Sequence, residues 1–166
     1  DNVFRNNIHK KIIYTVIMKI IIPRIIISKL FEHSLLEDPN ECCGLLLGND
    51  EKVIEIRNLN NVHDNPMTRY EIDNKDLMKA QKYCDNNNMD ILGVYHSHTH
   101  SQAYPSPTDI EKAREIKDFF DPYYILISLI EKTRPIIRGY KIDLDSVTEI
   151  IVEHDGEAYI SPTMNF

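Results

Sequence analysis

Gly93-Val94-Tyr95-His96-Ser97-His98-Thr99-His100-Ser101-Gln102-Ala103-Tyr104-Pro105-Ser106-Pro107-Thr108-Asp109 joins an apolar run to a pair of histidines and then to a helix start. Residues Ile91 to His98 read as a strand. On a strand, positions i and i+2 project from one face, so His96 and His98 can converge on a single ion while Ser97 points the other way. Ser106-Pro107-Thr108-Asp109 opens a helix, with a capping serine, proline at the first helical position and an acidic residue three positions after the cap. If the loop between strand and helix folds back, the Asp109 carboxylate completes a three-ligand set. Three protein ligands and a water are the usual composition of a catalytic zinc site, and imidazole with carboxylate but no thiolate suits an open hydrolytic site better than a closed structural one. Each half also has a plainer reading: two histidines at a strand end are often surface or core residues, and Ser-x-x-Asp is an ordinary helix cap. The two readings are compatible, because a capped helix start fixes the geometry of an aspartate in its first turn.

Outward from this stretch, the periodicities alternate between helix and strand. Ile26, Ile27, Leu30, Phe31 and Leu35 recur at helical spacing until Asp38-Pro39-Asn40, predicting a helix over 24–37. Cys42 to Gly48 is a short apolar run that reads as a buried strand, and Lys52 to Asn58 alternates as a half-buried one. A polar connection follows over Asn58 to Asn65, and Arg69 to Ile72 is a further strand candidate. Leu77, Ala80 and Cys84, preceded by Asp73 and Asn74 as caps, predict a second helix ending at Asp85-Asn86-Asn87-Asn88. After the third helix, with Ile110, Ala113, Ile116 and Phe120 on one face, strands are expected near 123–130, 135–142 and 147–153. Clustered strands with few helices predict an α+β domain, a mixed and largely antiparallel sheet flanked by helices.

The 166 residues suffice for one domain and fall short of the roughly 250 that an eight-stranded α/β barrel needs. With 42% apolar and 27% charged residues, the composition is that of a globular chain. A net charge of −7 argues against a nucleic-acid partner, which demands clustered Lys and Arg. Three cysteines, Cys42, Cys43 and Cys84, form no Cys-x-x-Cys pair and read as small core residues of a cytoplasmic protein. The apolar stretch Ile12 to Ile22 is interrupted by Lys19 and is too short to span a bilayer, so no membrane association is expected. The domain is expected over 18–153, with 1–17 an N-terminal extension or start-site artefact and 154–166 a C-terminal tail.

Glu41-x-Cys43-Gly44, then His96-Ser97-His98, seven residues, and Ser106-x-x-Asp109 closely resemble the motif of the JAMM, or MPN-plus, metalloprotease family. The likeness extends from about residue 19 to 153, since the order of elements is also similar to the MPN fold. The resemblance implies that His96, His98 and Asp109 bind one Zn²⁺, that Glu41 acts as general base on the catalytic water, and that the Ser106 hydroxyl stabilises the oxyanion. Spacing alone does not single out Glu41, 55 positions before His96.

Thr99 after the second motif histidine, with Ala103-Tyr104-Pro105-Ser106, is most similar to the bacterial branch that hydrolyses cysteine from sulfur-carrier proteins. That likeness implies hydrolysis of the amide after the C-terminal Gly-Gly of a small ubiquitin-like carrier, releasing cysteine. Two other expectations stand beside it: an isopeptidase that removes ubiquitin-like modifiers from lysines, and a non-catalytic MPN scaffold that binds a ubiquitin-like partner. The expected partner is in each case a ubiquitin-like protein, and a homodimer is compatible with all three. His100 continues the alternation past His98. As a fourth protein ligand it would close the position that the water needs, so it is expected in the loop near the cleft. His9, His33, His63 and His154 lack motif context.

Overall fold

A computed structural model describes residues 17–156. Its elements are β1 (Lys19–Ile21), α1 (Arg24–Glu37), β2 (Cys43–Asn49), β3 (Lys52–Leu59), α2 (Asn74–Asn87), β4 (Asp90–His98), α3 (Pro107–Ile116), β5 (Tyr123–Ser128), β6 (Ile136–Ile142) and β7 (Val147–Glu153). The strands close on themselves in the order β1-β3-β2-β4-β5-β6-β7, β1 pairing in parallel with both β3 and β7. The β4–β5 pair is also parallel, and the other four pairings are antiparallel. The α+β class and the mixed, mainly antiparallel sheet are thus as expected. Closure is additional, because β1 is only three residues long and its two partners are distant in sequence.

The strand period of two divides the interior into two apolar clusters. Ile20, Ile22, Leu46, Tyr95, Ile125 and Ile127 pack with Ile26 and Leu30 of α1. On the opposite face, Leu45, Leu47, Val94, Leu126 and Tyr140 pack with Ala80 and Cys84 of α2 and Ala113 of α3. His96 and His98 continue the Val94 side of β4, towards α3. Ser97 continues the Tyr95 side, and its Oγ accepts the Cys42 N–H at 2.8 Å. Gly44 faces Tyr95 across the β2–β4 pair. A Cβ there would lie 2.5 Å from the Tyr95 ring and 2.4 Å from the Arg57 carbonyl oxygen, so only glycine lets the ring lie over the strand. All three cysteines are buried thiols.

The expected strand over Arg69 to Ile72 does not form. Its only ladder contact is a single antiparallel bridge between Asn61 and Ile72, because the Asn61 side chain and the aromatic ring of Tyr70 use this segment for other contacts. The β5 strand ends at Ser128 rather than 130, where its hydroxyl turns back to donate to the Ser101 carbonyl. The expected N-terminal extension, apart from Ile17, and the end of the expected tail lie outside the described residues, as does His9. Among the described residues no helix is long and apolar enough to cross a membrane.

Candidate metal centre and active site

Ser106 caps α3 in both directions: its Oγ accepts the Asp109 N–H at 3.2 Å, and its own N–H donates to Asp109 Oδ2 at 2.7 Å. This capping box holds the Asp109 carboxylate in the first turn, aimed at the end of β4. Asp109 Oδ2 lies 3.4 Å from His96 Nε2 and 3.4 Å from His98 Nε2, and the two Nε2 atoms are 3.1 Å apart. Ligand atoms about 2.05 Å from a tetrahedral ion stand about 3.3 Å from one another, so the triangle has the size of one face of a zinc site. No other group of three His, Cys, Asp or Glu side chains among the described residues is so arranged.

The two imidazoles are held in place by different means. His98 Nδ1 donates to the Gln102 carbonyl at 2.8 Å, which fixes the proton on Nδ1 and leaves the Nε2 lone pair facing the centre. His96 Nδ1 is buried without a hydrogen-bond partner, and its ring is instead stacked on Tyr70, centroids 4.2 Å apart and 23° from parallel. Burial, helped by the neighbouring His98, lowers the His96 pKa despite Asp109. At His98 burial also opposes charge, but the Asp109 carboxylate and the Gln102 carbonyl outweigh it and raise the pKa. Asp109 resists burial in the same way: hydrogen bonds from both histidines and from Ser106 hold its carboxyl well below the usual carboxylate range.

Glu41 reaches this centre through the sheet. Cys43 pairs with His96 in the antiparallel β2–β4 ladder, and continuing that register by two residues sets Glu41 opposite His98. Its N–H donates to the Pro66 carbonyl at 2.7 Å, and its own carbonyl accepts from Asn61 Nδ2 at 2.9 Å. Only 7% exposed, its carboxyl is pushed up to about 7, chiefly by burial, with His98 pulling it down, Asp109 pushing it up and Arg69 pulling it down. Near neutrality such a group both accepts and returns a proton.

His100 lies in the bend after β4, exposed, and is not one of the three converging side chains. His33 is buried and its Nδ1 contacts Tyr95 Oη at 2.9 Å, while His63 and His154 each accept a nearby backbone N–H. Sequence reasoning missed Asn61, Arg69, Tyr70 and the Gln102 carbonyl. The first three lie in or beside the polar connection, with no spacing that relates them to the histidines. Asn61 makes all four hydrogen bonds open to an amide: to the carbonyls of Glu41 and Arg69 and from the N–H groups of His63 and Glu71.

Residues 23–140 match the family described as prokaryotic homologs of the JAB domain. The chain is 32% identical over 119 residues to the CysO-cysteine peptidase of Mycobacterium tuberculosis, covering 70% of this chain and 78% of that protein. It is 43% identical over 82 residues to the probable TtuB-protein conjugate cleaving protease of Thermus thermophilus, covering 49% of this chain; it spans only 55% of that relative's length. Among solved structures, a protein from Desulfitobacterium hafniense superposes with a TM-score of 0.73 at 29% identity, covering 83% of this chain and 94% of that one.

Proposed function

The chain belongs to the prokaryotic JAB-domain family, and on that premise we propose that it is a zinc-dependent peptidase that hydrolyses the amide after the C-terminal Gly-Gly of a small ubiquitin-like sulfur carrier, releasing cysteine. The observation that carries the reading is the 3.1–3.4 Å triangle of His96, His98 and Asp109 ligand atoms with a buried carboxyl, Glu41, beside it. The relative named for cysteine release, matched over 78% of its length, supports the choice of leaving group.

A divalent ion held by His96, His98 and Asp109 would polarise the scissile carbonyl and acidify water. Glu41 takes a proton from the attacking water and returns it to the leaving nitrogen. The acceptor side of the Ser106 hydroxyl is used by the Asp109 N–H, which leaves its own hydrogen to donate to the carbonyl oxygen as that oxygen gains charge. His98 keeps its proton on Nδ1 throughout, because the Gln102 carbonyl holds it there. A tail of two glycines presents no side chain to a narrow approach.

Purified protein tested for bound metal and for hydrolysis of a carrier-cysteine adduct checks this directly. Zinc near one per chain and loss of hydrolysis in Glu41→Gln are expected; absence of both metal and hydrolysis would favour a binding scaffold, and hydrolysis unchanged by Glu41→Gln would remove Glu41 from the mechanism. The relative named for cleaving protein conjugates favours a second reading, an isopeptidase acting on lysine conjugates. Preference for a carrier-lysine conjugate over the cysteine adduct would select it.

A further inference from the structure

We propose that the cleft between Arg69 and Lys112, beside Ser106 and Asp109, binds the free α-carboxylate of the amino acid that leaves. This rests on the peptidase reading above and specifies its substrate class: conjugates ending in a single amino acid, with the carboxylate next to the scissile nitrogen. The cleft has a volume of about 160 Å³, and Ser106 and Asp109 on one wall are shared with the metal centre. At about 30 Å³ per water it has room for about five waters, enough for a carboxylate together with the small amino acid that bears it.

Its charge is the informative feature. Arg69 Nη1 donates to Thr108 Oγ1 at 2.6 Å, and Lys112 Nζ donates to the Tyr70 carbonyl at 3.5 Å, so both cations are steadied by neutral partners. Among the described residues neither lies within 4.0 Å of a carboxylate; half of the sixteen Lys and Arg side chains there share that property, and what distinguishes these two is that they line one cleft together beside Ser106 and Asp109. The one carboxylate lining the cleft, Asp109, has Oδ2 directed to His96, His98 and the Ser106 N–H. Two cations without a carboxylate partner thus flank a small cavity that adjoins the reacting centre of an acidic protein.

Arg69 is also placed on the side where the leaving nitrogen must be. Its guanidinium acts electrostatically on Glu41, the group that returns the proton to that nitrogen, and its backbone is tied down by Asn61 Nδ2 at 2.8 Å. In an amino acid leaving through its α-nitrogen, the carboxylate is only two bonds away. A planar guanidinium recognises it in paired hydrogen bonds, with Lys112 as a second point charge. A lysine leaving through its ε-nitrogen brings an apolar stem to the same place and leaves both cations unmatched.

The test compares two carrier adducts ending Gly-Gly-Cys, one with a free carboxylate and one with a carboxamide. Wild-type enzyme is expected to favour the acid in kcat/KM by about tenfold, a modest ratio because Arg69 and Lys112 are exposed. The Arg69→Met, Lys112→Met double variant is expected to bring the ratio close to one, with Arg69→Lys in between. Calorimetric titration of Glu41→Gln with both adducts should reproduce the preference in Kd without turnover. A wild-type ratio near one, or one that the double substitution leaves unchanged, overturns the carboxylate site while leaving the peptidase reading intact. Cleavage of a lysine conjugate with neither adduct cleaved overturns both.

Discussion

At Glu41, burial has a thermodynamic signature that is independent of catalysis. Its carboxyl titrates at about 7 in the folded chain against an ordinary 4.5, so the folded state binds the proton more tightly than the unfolded state. Stability is full below the unfolded value and is lost as pH rises through the folded one. Metal-stripped Glu41→Gln is therefore expected to match wild type at pH 4 and to exceed it at pH 8 by on the order of 2 kcal/mol, measured by denaturant unfolding. Asn61 supplies a second test at this scale. Asn61→Asp keeps the shape but sets carboxylate oxygens against the carbonyls of Glu41 and Arg69, which should cost about 2 kcal/mol of stability. Because that disturbance reaches Glu41, the proposed general base, kcat should fall at least about tenfold. A variant with lowered stability and unchanged kcat would reduce Asn61 to a loop staple.

Among the elements, α3 carries two duties on one residue. Ser106 caps the helix through its lone pair and is proposed to act through its hydrogen, and substitutions separate the two. Ser106→Ala should lose about 1 kcal/mol of stability, whereas Ser106→Gly, a tolerable cap, should lose only a few tenths. Both are expected to lower kcat by about 10²-fold or more, since neither donates to the oxyanion. Activity retained in Ser106→Gly would assign the serine to helix geometry alone. On β2, Gly44 is the element's other constraint. Gly44→Ala forces a Cβ against the Arg57 carbonyl and the Tyr95 ring, and a loss of about 1–3 kcal/mol is expected from chemical denaturation. The candidate strand at Arg69 to Ile72 shows why alternation misleads here: its side chains serve the site, Tyr70 against His96 and Arg69 against Thr108, and the backbone finds only one bridge.

For the whole molecule, the metal and the fold are expected to be coupled, because the three proposed ligands come from the end of one strand and the start of a helix that the fold brings together. An ion bound by the native state alone, at a thousand times its Kd, adds about 4 kcal/mol. Adding Zn²⁺ to metal-stripped protein should raise Tm by roughly 10 °C, and Asp109→Asn should abolish most of that rise. Equal responses in the two proteins would place zinc elsewhere. Loss of this ligand would also cost the capping box its carboxylate, so the comparison is made between metal-free and metal-loaded forms of each variant.

Local periodicity offers a strand at Arg69 to Ile72 that does not form, but it is enough for the three helices, for β2 to β7 to within a residue or two, and for the grouping of His96, His98, Ser106 and Asp109. These depend on local periodicity and on one strand, loop and helix, where spacing along the chain controls direction in space. Glu41 was legible only through likeness to a family motif, since its approach to His98 follows from the β2–β4 register and not from any spacing. Closure of the sheet through β1, the four-bond latch of Asn61, the stacking of Tyr70 on His96 and the cationic cleft at Arg69 were decided by the tertiary structure alone. Each joins groups far apart in the chain, and hydrophobic periodicity reports which face of an element is buried but not which distant side chain will meet it.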